Sequence, residues 1–296
     1  MEPGVSILIC PIVALVADQV TILRASGINT CYVTHQLCDA EKQVIYRHLC
    51  SPDPGYEIIC TTPETVLSPE MTRTLVKLQG QGKLQRFIID EAHCIDLWGN
   101  DFRESYTQLG TLKDFGVPVI ALKGSATQTT KDVILDTLKI PNAKVVSNSL
   151  NRPKICYTVE PKGQKVIDDI VQLINSKFQG LSSIVYCSEV RYTKNVAYNL
   201  NVSGISAGHY YANLDPFEKQ SVETGWMEGR IKVICATIAF GMGIDKKDCR
   251  FVIHHTMSQN VEGFSQESGR AGRDGQPAHS ILFYRFEDRT GLSLSF

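Results

Sequence analysis

The sequence predicts an α/β protein made of two parallel-sheet lobes. Three observations carry that reading. Short apolar runs alternate with amphipathic stretches, a strand–helix rhythm that yields parallel sheets. The rhythm repeats in two halves, separated by the polar, proline-ended run Ser147–Pro153. The 296 residues make about two domains of ordinary size, and 43% of them are hydrophobic, enough for two cores.

In the first half the apolar runs predict strands at Ser6–Cys10, Thr30–Val33, Glu57–Thr61, Arg86–Ile89, Pro118–Leu122 and Lys144–Val146. Helical spacing falls at Ile12–Ser26, Asp39–His48, Glu70–Leu78 and Lys131–Leu138. In the second half the strands are Ile155–Val159, Ser183–Cys187, Ala207–Tyr211, Lys232–Ala236, Phe251–His254 and Ser280–Tyr284. Helices fall at Gln164–Lys177, Arg191–Ser203, Pro216–Gly229 and Val261–Glu267. The expected organisation is a first lobe over 1–147, a linker over 148–153, a second lobe over 154–290 and a tail over 291–296.

Bulk properties narrow the function classes. A net charge of −1 does not mark a generally basic nucleic-acid binder, although a local basic groove would suffice. The ten cysteines stand singly with no Cys-x-x-Cys pair, which argues against a zinc knuckle and a disulfide framework and for reduced thiols. The charge-free run Pro3–Ala17 is too short to span a bilayer and contains Pro11, and Glu2 stands where a signal peptide would be basic. A buried strand followed by a helix explains it better.

Asp90-Glu91-Ala92-His93 closes the apolar run Phe87-Ile88-Ile89. A strand ending in two carboxylates sets them at the carboxyl edge of a sheet, where ligands of open α/β folds bind. There Asp90 can hold Mg²⁺, directly or through water, and Glu91 can orient and deprotonate an attacking water. Two solvated acids at an ordinary strand exit are the plain alternative. The full four-residue signature, with further motifs in order behind it, argues against that.

Downstream, Cys235–Asp245 runs a strand into a glycine-rich turn that ends on an acid. Glycine lets the backbone approach a ligand closely, and Asp245 can hold a ribose hydroxyl or tie the turn. Gln266-Glu267-Ser268-Gly269-Arg270-Ala271-Gly272-Arg273-Asp274-Gly275 follows. On a helix, Arg270 and Arg273 would share a face. Guanidinium groups make planar, multidentate contacts to phosphate oxygens, and an arginine finger is typically worth about 10³–10⁵ in rate. The plain alternative is a solvated basic face.

Trp98-Gly99-Asn100-Asp101-Phe102-Arg103 follows the acid motif. Exposed aromatics beside an arginine suit base stacking, worth roughly 1–3 kcal/mol per base. Trp98 and Phe102, four apart, could equally pack into a core. Thr61-Thr62-Pro63-Glu64 and Lys123-Gly124-Ser125-Ala126-Thr127 end strands in small hydroxyl residues that can hold a nucleic-acid phosphate or couple sites. Each alone is more often a helix cap. Gly80-Gln81-Gly82-Lys83-Leu84 imitates a phosphate loop but has Lys77 in place of the first glycine and Leu84 in place of the hydroxyl, so it reads as an ordinary loop.

Together these residues resemble the RecQ family of superfamily-two DNA helicases, of the vertebrate Q1 type. The resemblance runs from Cys10–Val20 (motif Ia) through Thr62–Glu64 (Ib), Asp90–His93 (II), the aromatic loop to Arg103, Ser125–Thr127 (III) and Ile184–Cys187 (IV). It continues through Ala236–Asp245 (V) and Gln266–Gly275 (VI). It implies two RecA-like lobes with ATP and Mg²⁺ between them, single-stranded DNA across both, and 3′-to-5′ unwinding. The roles it implies are catalysis for Asp90, Glu91, Arg270 and Arg273, and nucleotide contact for Asp90, His93, Gly243, Asp245, Gln266, Arg270 and Arg273. It implies nucleic-acid contact or coupling for Thr62, Trp98, Phe102, Arg103, Ser125, Thr127 and Thr237. Single-stranded and forked DNA, a nuclear location and work in repair, recombination or replication are implied as well, without zinc or membrane.

Three departures from the family pattern shape the expectation. The family's Gly-x-x-x-x-Gly-Lys-Ser/Thr loop is absent from these residues, as is the adenine-reading glutamine ahead of it. The first lobe is therefore expected to be incomplete at its amino end, with a sheet edge beside Pro118–Leu122 and hydrolysis near background. Leu97 and Asn100 replace the usual Gln and His, and Lys123-Gly124 the usual Thr-Ala. The sequence stops at Phe296, before the family's zinc and winged-helix modules. Two other readings stay open: a non-hydrolysing nucleic-acid-binding module, and an RNA helicase.

Overall fold

The computed structural model describes residues 4–95, 104–124, 126–149, 151–241 and 244–289. The chain divides into two units, Met1–Asn148 and Ser149–Phe296, each with its own sheet.

In the first unit β1 (Val5–Ile9), β2 (Thr30–Val33), β3 (Ile58–Thr61), β4 (Leu84–Ile89) and β5 (Val119–Ala121) lie parallel in the order β2-β3-β1-β4-β5. Parallel strands bury both faces, which accounts for the near-continuous apolar sequence of β1. Val5, Ile7 and Ile9 face a core that includes Met71, Leu75 and Leu78 from helix Pro69–Gly80. Leu8 and Cys60 pack on the other side with Leu15, Val16 and Val20 from helix Val13–Ala25. The charge-free run at the start of the sequence is thus a strand followed by a helix. Among the described residues β5 is an edge strand bonded only to β4, and Ile120 at its centre is exposed.

The strand expected at Lys144–Val146 does not form. Val145 and Val146 are exposed, so an apolar pair found no neighbouring strand to bury it. Among the described residues four short elements escaped the sequence reading, helices Pro63–Val66 and Glu104–Gln108 and the 3₁₀ stretches Leu109–Phe115 and Phe286–Arg289. Gly80–Leu84 runs from the last residue of helix Pro69–Gly80 to the first of β4, with the loop Gln81–Lys83 between them and Gly82 at φ 67°.

The second unit holds β6 (Ile155–Pro161), β7 (Ser182–Tyr186), β8 (Ala207–Tyr210), β9 (Val233–Ala236), β10 (Cys249–His254) and β11 (Ala278–Tyr284). Its parallel order is β6-β11-β10-β7-β9-β8. On one face Val185, Cys235, Phe251 and Ile253 pack against Ile170, Ile174, Val196 and Leu200, from helices Val166–Lys177 and Val190–Val202. On the other, Ile184, Ile234 and Val252 meet Trp226 and Phe240. Among the described residues no helix is long and apolar enough to cross a membrane.

Candidate nucleotide site

In the first unit the candidate residues gather where β4 ends. The Asp90 amide donates to Ile9 O at 2.9 Å and the Ala92 amide to Leu122 O at 2.9 Å, so main-chain bonds to β1 and to the residue after β5 fix the acid motif at the carboxyl edge. Asp90 Oδ1 accepts the Glu91 amide at 2.9 Å. Glu91 adopts φ 47°, a left-handed conformation that costs a non-glycine residue roughly 1–3 kcal/mol and concentrates at functional sites. His93 is buried, with Nδ1 3.1 Å from Glu91 Oε2. Burial holds the Asp90 carboxyl above the ordinary aspartate range, and the Glu91 amide opposes that shift.

The neighbouring hydroxyls do something plainer. Thr62 precedes helix Pro63–Val66 and its hydroxyl shares a hydrogen bond with Thr65 Oγ1 at 3.1 Å. Thr127 caps helix Gln128–Thr137, accepting the Thr130 amide at 3.1 Å. The capping alternative thus describes what Thr127 does here. Trp98, Phe102, Arg103, Ser125 and Gly243 lie outside the described residues.

The second unit corrects the picture of the twin arginines. Helix Val261–Ser268 ends before them, and Arg270 and Arg273 lie in the following turn, so no helical face is shared. Gly272 at φ 63° bends that turn, and a Cβ there would come within 2.8 Å of Gln276 O. The Gly272 amide donates to Cys249 O at 2.8 Å, which places the turn at the amino edge of β10.

Both guanidinium groups reach the glycine-rich turn after β9. Buried Arg270 donates from Nη1 to Gly241 O. Arg273 Nη1 donates to Ile244 O at 2.7 Å and Asp245 Oδ1 at 2.9 Å. Glycine at 241 now has a physical cause, because a Cβ would sit 2.6 Å from Arg270 Nη2. Asp245 ties the turn through Arg273, the second of the two roles its sequence allowed. Gln266 is exposed on the last helical turn, and Thr237 begins the glycine-rich turn with its amide on Tyr210 O at 3.2 Å.

Trp226 and Tyr186 support this turn from below. Trp226 packs edge-on to Phe240 with ring centroids 5.5 Å apart and donates Nε1–H to Ser183 O at 3.1 Å. Tyr186 donates its hydroxyl to Phe240 O at 2.9 Å. A cavity of about 600 Å³, lined by Arg152, Lys154, Asp245, Gly272 and Arg273, opens beside the arginine turn. Its size suits a small-molecule ligand, and three cations against one carboxylate favour an anionic one.

Arg152 is the residue the sequence reading left in the linker. It donates to three carbonyls of the arginine turn. Its only sequence signal was a lone arginine between Asn151 and Pro153, too weak to single out.

The DEAD/DEAH box helicase family matches residues 2–134 and the helicase conserved C-terminal domain residues 165–275. RecQ-like DNA helicase BLM of Xenopus laevis is 40% identical over 99% of this chain and 22% of its own length. ATP-dependent DNA helicase Q1 of Mus musculus is 37% identical over 96% of this chain and 45% of its own length. The chain spans less than half the length of these curated relatives. Among solved structures, S. cerevisiae Dbp5 bound to RNA and ADP BeF3 matches with a TM-score of 0.72 at 19% identity, covering 99% of this chain and 74% of that one. The DUF1998 helicase MrfA bound to DNA matches at 0.77 and 16%, covering 98% of this chain and 41% of that one. Those structural likenesses establish a RecA-like α/β fold, and the two successive domain matches, with alignment over nearly all of this chain, make it a homologue of the RecQ-like DNA helicases.

Proposed function

We propose that this chain serves an ATP-dependent DNA helicase of the RecQ type, unwinding 3′ to 5′ on single-stranded and forked DNA. The observation that carries the reading is the acid pair at the carboxyl edge of β4, in a chain aligned almost end to end with relatives named as DNA helicases. Glu91 would orient and deprotonate the attacking water, and His93, 3.1 Å away, would hold its carboxylate. Arg270 and Arg273 would meet the charge that develops on phosphate, Gln266 and Asp245 would contact the nucleotide, and Thr62, Thr127 and Thr237 would face the nucleic acid.

Asp90 fits a cation. Its carboxylate is partly buried, and burial disfavours its charge, an imbalance that Mg²⁺ would offset. Mg²⁺ in phosphate-transfer sites needs only one or two carboxylates beside the phosphates themselves. Bound there, it would neutralise phosphate charge. Nuclear work in DNA repair, recombination or replication completes the reading.

A second reading has one specific observation in its favour. No Gly-x-x-x-x-Gly-Lys-Ser/Thr occurs in the 296 residues, and a chain without phosphate-cradling amides and lysine would bind nucleic acid with turnover near background. Both readings are tested by ATP turnover of the purified chain with and without single-stranded DNA, beside Glu91→Gln. DNA-stimulated turnover that falls about 10²–10⁴-fold in Glu91→Gln supports the motor. DNA binding with turnover equal in the two proteins supports the second reading, and absence of both activities sinks the two together.

A further inference from the structure

The arginine turn is held from two directions. Its own side chains reach out to Gly241, Ile244 and Asp245. Its carbonyls are held by a residue more than a hundred positions earlier. Arg152 Nη1 donates to Gly269 O at 3.2 Å, and Nη2 donates to Ala271 O at 3.1 Å and Gly272 O at 3.4 Å. These carbonyls lie at and just beyond the end of helix Val261–Ser268, where main-chain acceptors lack intrahelical partners. A cation there is also favoured by the helix dipole.

The chemistry calls for arginine rather than for any cation. A guanidinium offers five N–H donors in a fixed plane, so one side chain can bridge acceptors from Gly269 to Gly272. A lysine ammonium keeps the charge but is a compact point donor and cannot span them. Pro153, with its fixed φ, immediately follows Arg152.

The geometry points to Arg152 as the positioning residue of the arginine turn, setting where Arg270 and Arg273 present their guanidinium groups. Arg152 acts through the main chain of the turn. Its consequence for catalysis rests on the ATP reading above, whereas its hold on the turn does not.

The test is hydrogen exchange on the 296-residue chain, comparing the unmutated protein with Arg152→Gln and Arg152→Lys. The amides of Arg270, Ala271, Gly272, Asp274 and Gly275 are all hydrogen-bonded to main-chain carbonyls and report directly on the turn. Exchange over 269–275 is expected to rise about tenfold in both variants, the worth of roughly one net hydrogen bond. Peptides from β7 and β9 stay unchanged. Protection at 269–275 equal to the unmutated chain, or kept in Arg152→Lys and lost in Arg152→Gln, overturns the planar-bridge assignment. If Arg152→Gln loses protection throughout the chain, Arg152→Lys alone decides.

Where the chain turns over ATP, kcat is expected to fall about tenfold with KM within about twofold, the mark of an interaction felt only in the transition state. A change confined to KM would make Arg152 a nucleotide ligand and overturn the assignment. Loss of protection in the variants, with no turnover even in the unmutated chain, upholds Arg152 and counts against the ATP reading alone.

Discussion

In the first unit Asp90 and Glu91 leave the sheet at the carboxyl end of β4, fixed by main-chain bonds to Ile9 and Leu122. In the second, Arg270 and Arg273 sit past the end of a helix at the amino edge of β10, fixed by side chains and glycines. A strand end delivers its side chains to an edge with no further device. A turn beyond a helix end needs a left-handed glycine, a cleared space at Gly241 and the bridging Arg152. The acid motif should therefore tolerate change around it, whereas the arginine turn depends on distant residues.

The largest effect on that comparison should come from Trp226→Ala. Trp226 is fully buried and carries Phe240, the residue before Gly241. Its removal should cost the second unit about 3–5 kcal/mol. Urea unfolding, read separately on reporters in each unit, should show the first unit's transition unmoved.

The next effect is a pH dependence in the second unit. Burial, with Lys162 beside it, lowers the pKa of His255 from 6.5 to about 4. The folded form keeps the ring neutral, so between pH 6.5 and 4 the unfolded chain binds the extra proton and stability falls as the pH drops. The loss approaches about 3 kcal/mol. His255→Gln should reduce the pH dependence of the second unit's urea midpoint across that window, with His209, also lowered by burial and by Lys194, keeping part of it; an unchanged slope would assign the dependence to another group.

Gly241→Ala comes third. Its Cβ must displace Arg270, so the second unit should lose about 1–3 kcal/mol and the cooperative unfolding of the arginine turn with it. An unshifted melting temperature would mean that Arg270 does not need its carbonyl. The smallest effect belongs to the acid side: Thr127→Ala removes a helix cap and should cost the first unit about 1 kcal/mol.

Much of the architecture was legible because apolar runs and parallel strands coincide: eleven of the twelve expected strands form, within a few residues of their expected bounds. Lys144–Val146 failed because burial on a sheet needs a partner strand, which a local run cannot announce. The acid motif was legible since its position is a property of β4 itself. The orientation of Arg270 and Arg273 was not, since Gly269 ends the helix and Gly272 reverses the chain. Arg152 was invisible for a related reason: its acceptors lie over a hundred residues away and are main-chain carbonyls that no side-chain pattern marks.

The proposed function stands or falls on a DNA substrate. It is tested most directly by the affinity of the purified chain for single-stranded DNA and for RNA of the same sequence, at two salt concentrations. Tighter binding to DNA is expected, weakening as salt rises through loss of phosphate contacts. Equal or tighter binding to RNA, or no binding to either, would contradict it.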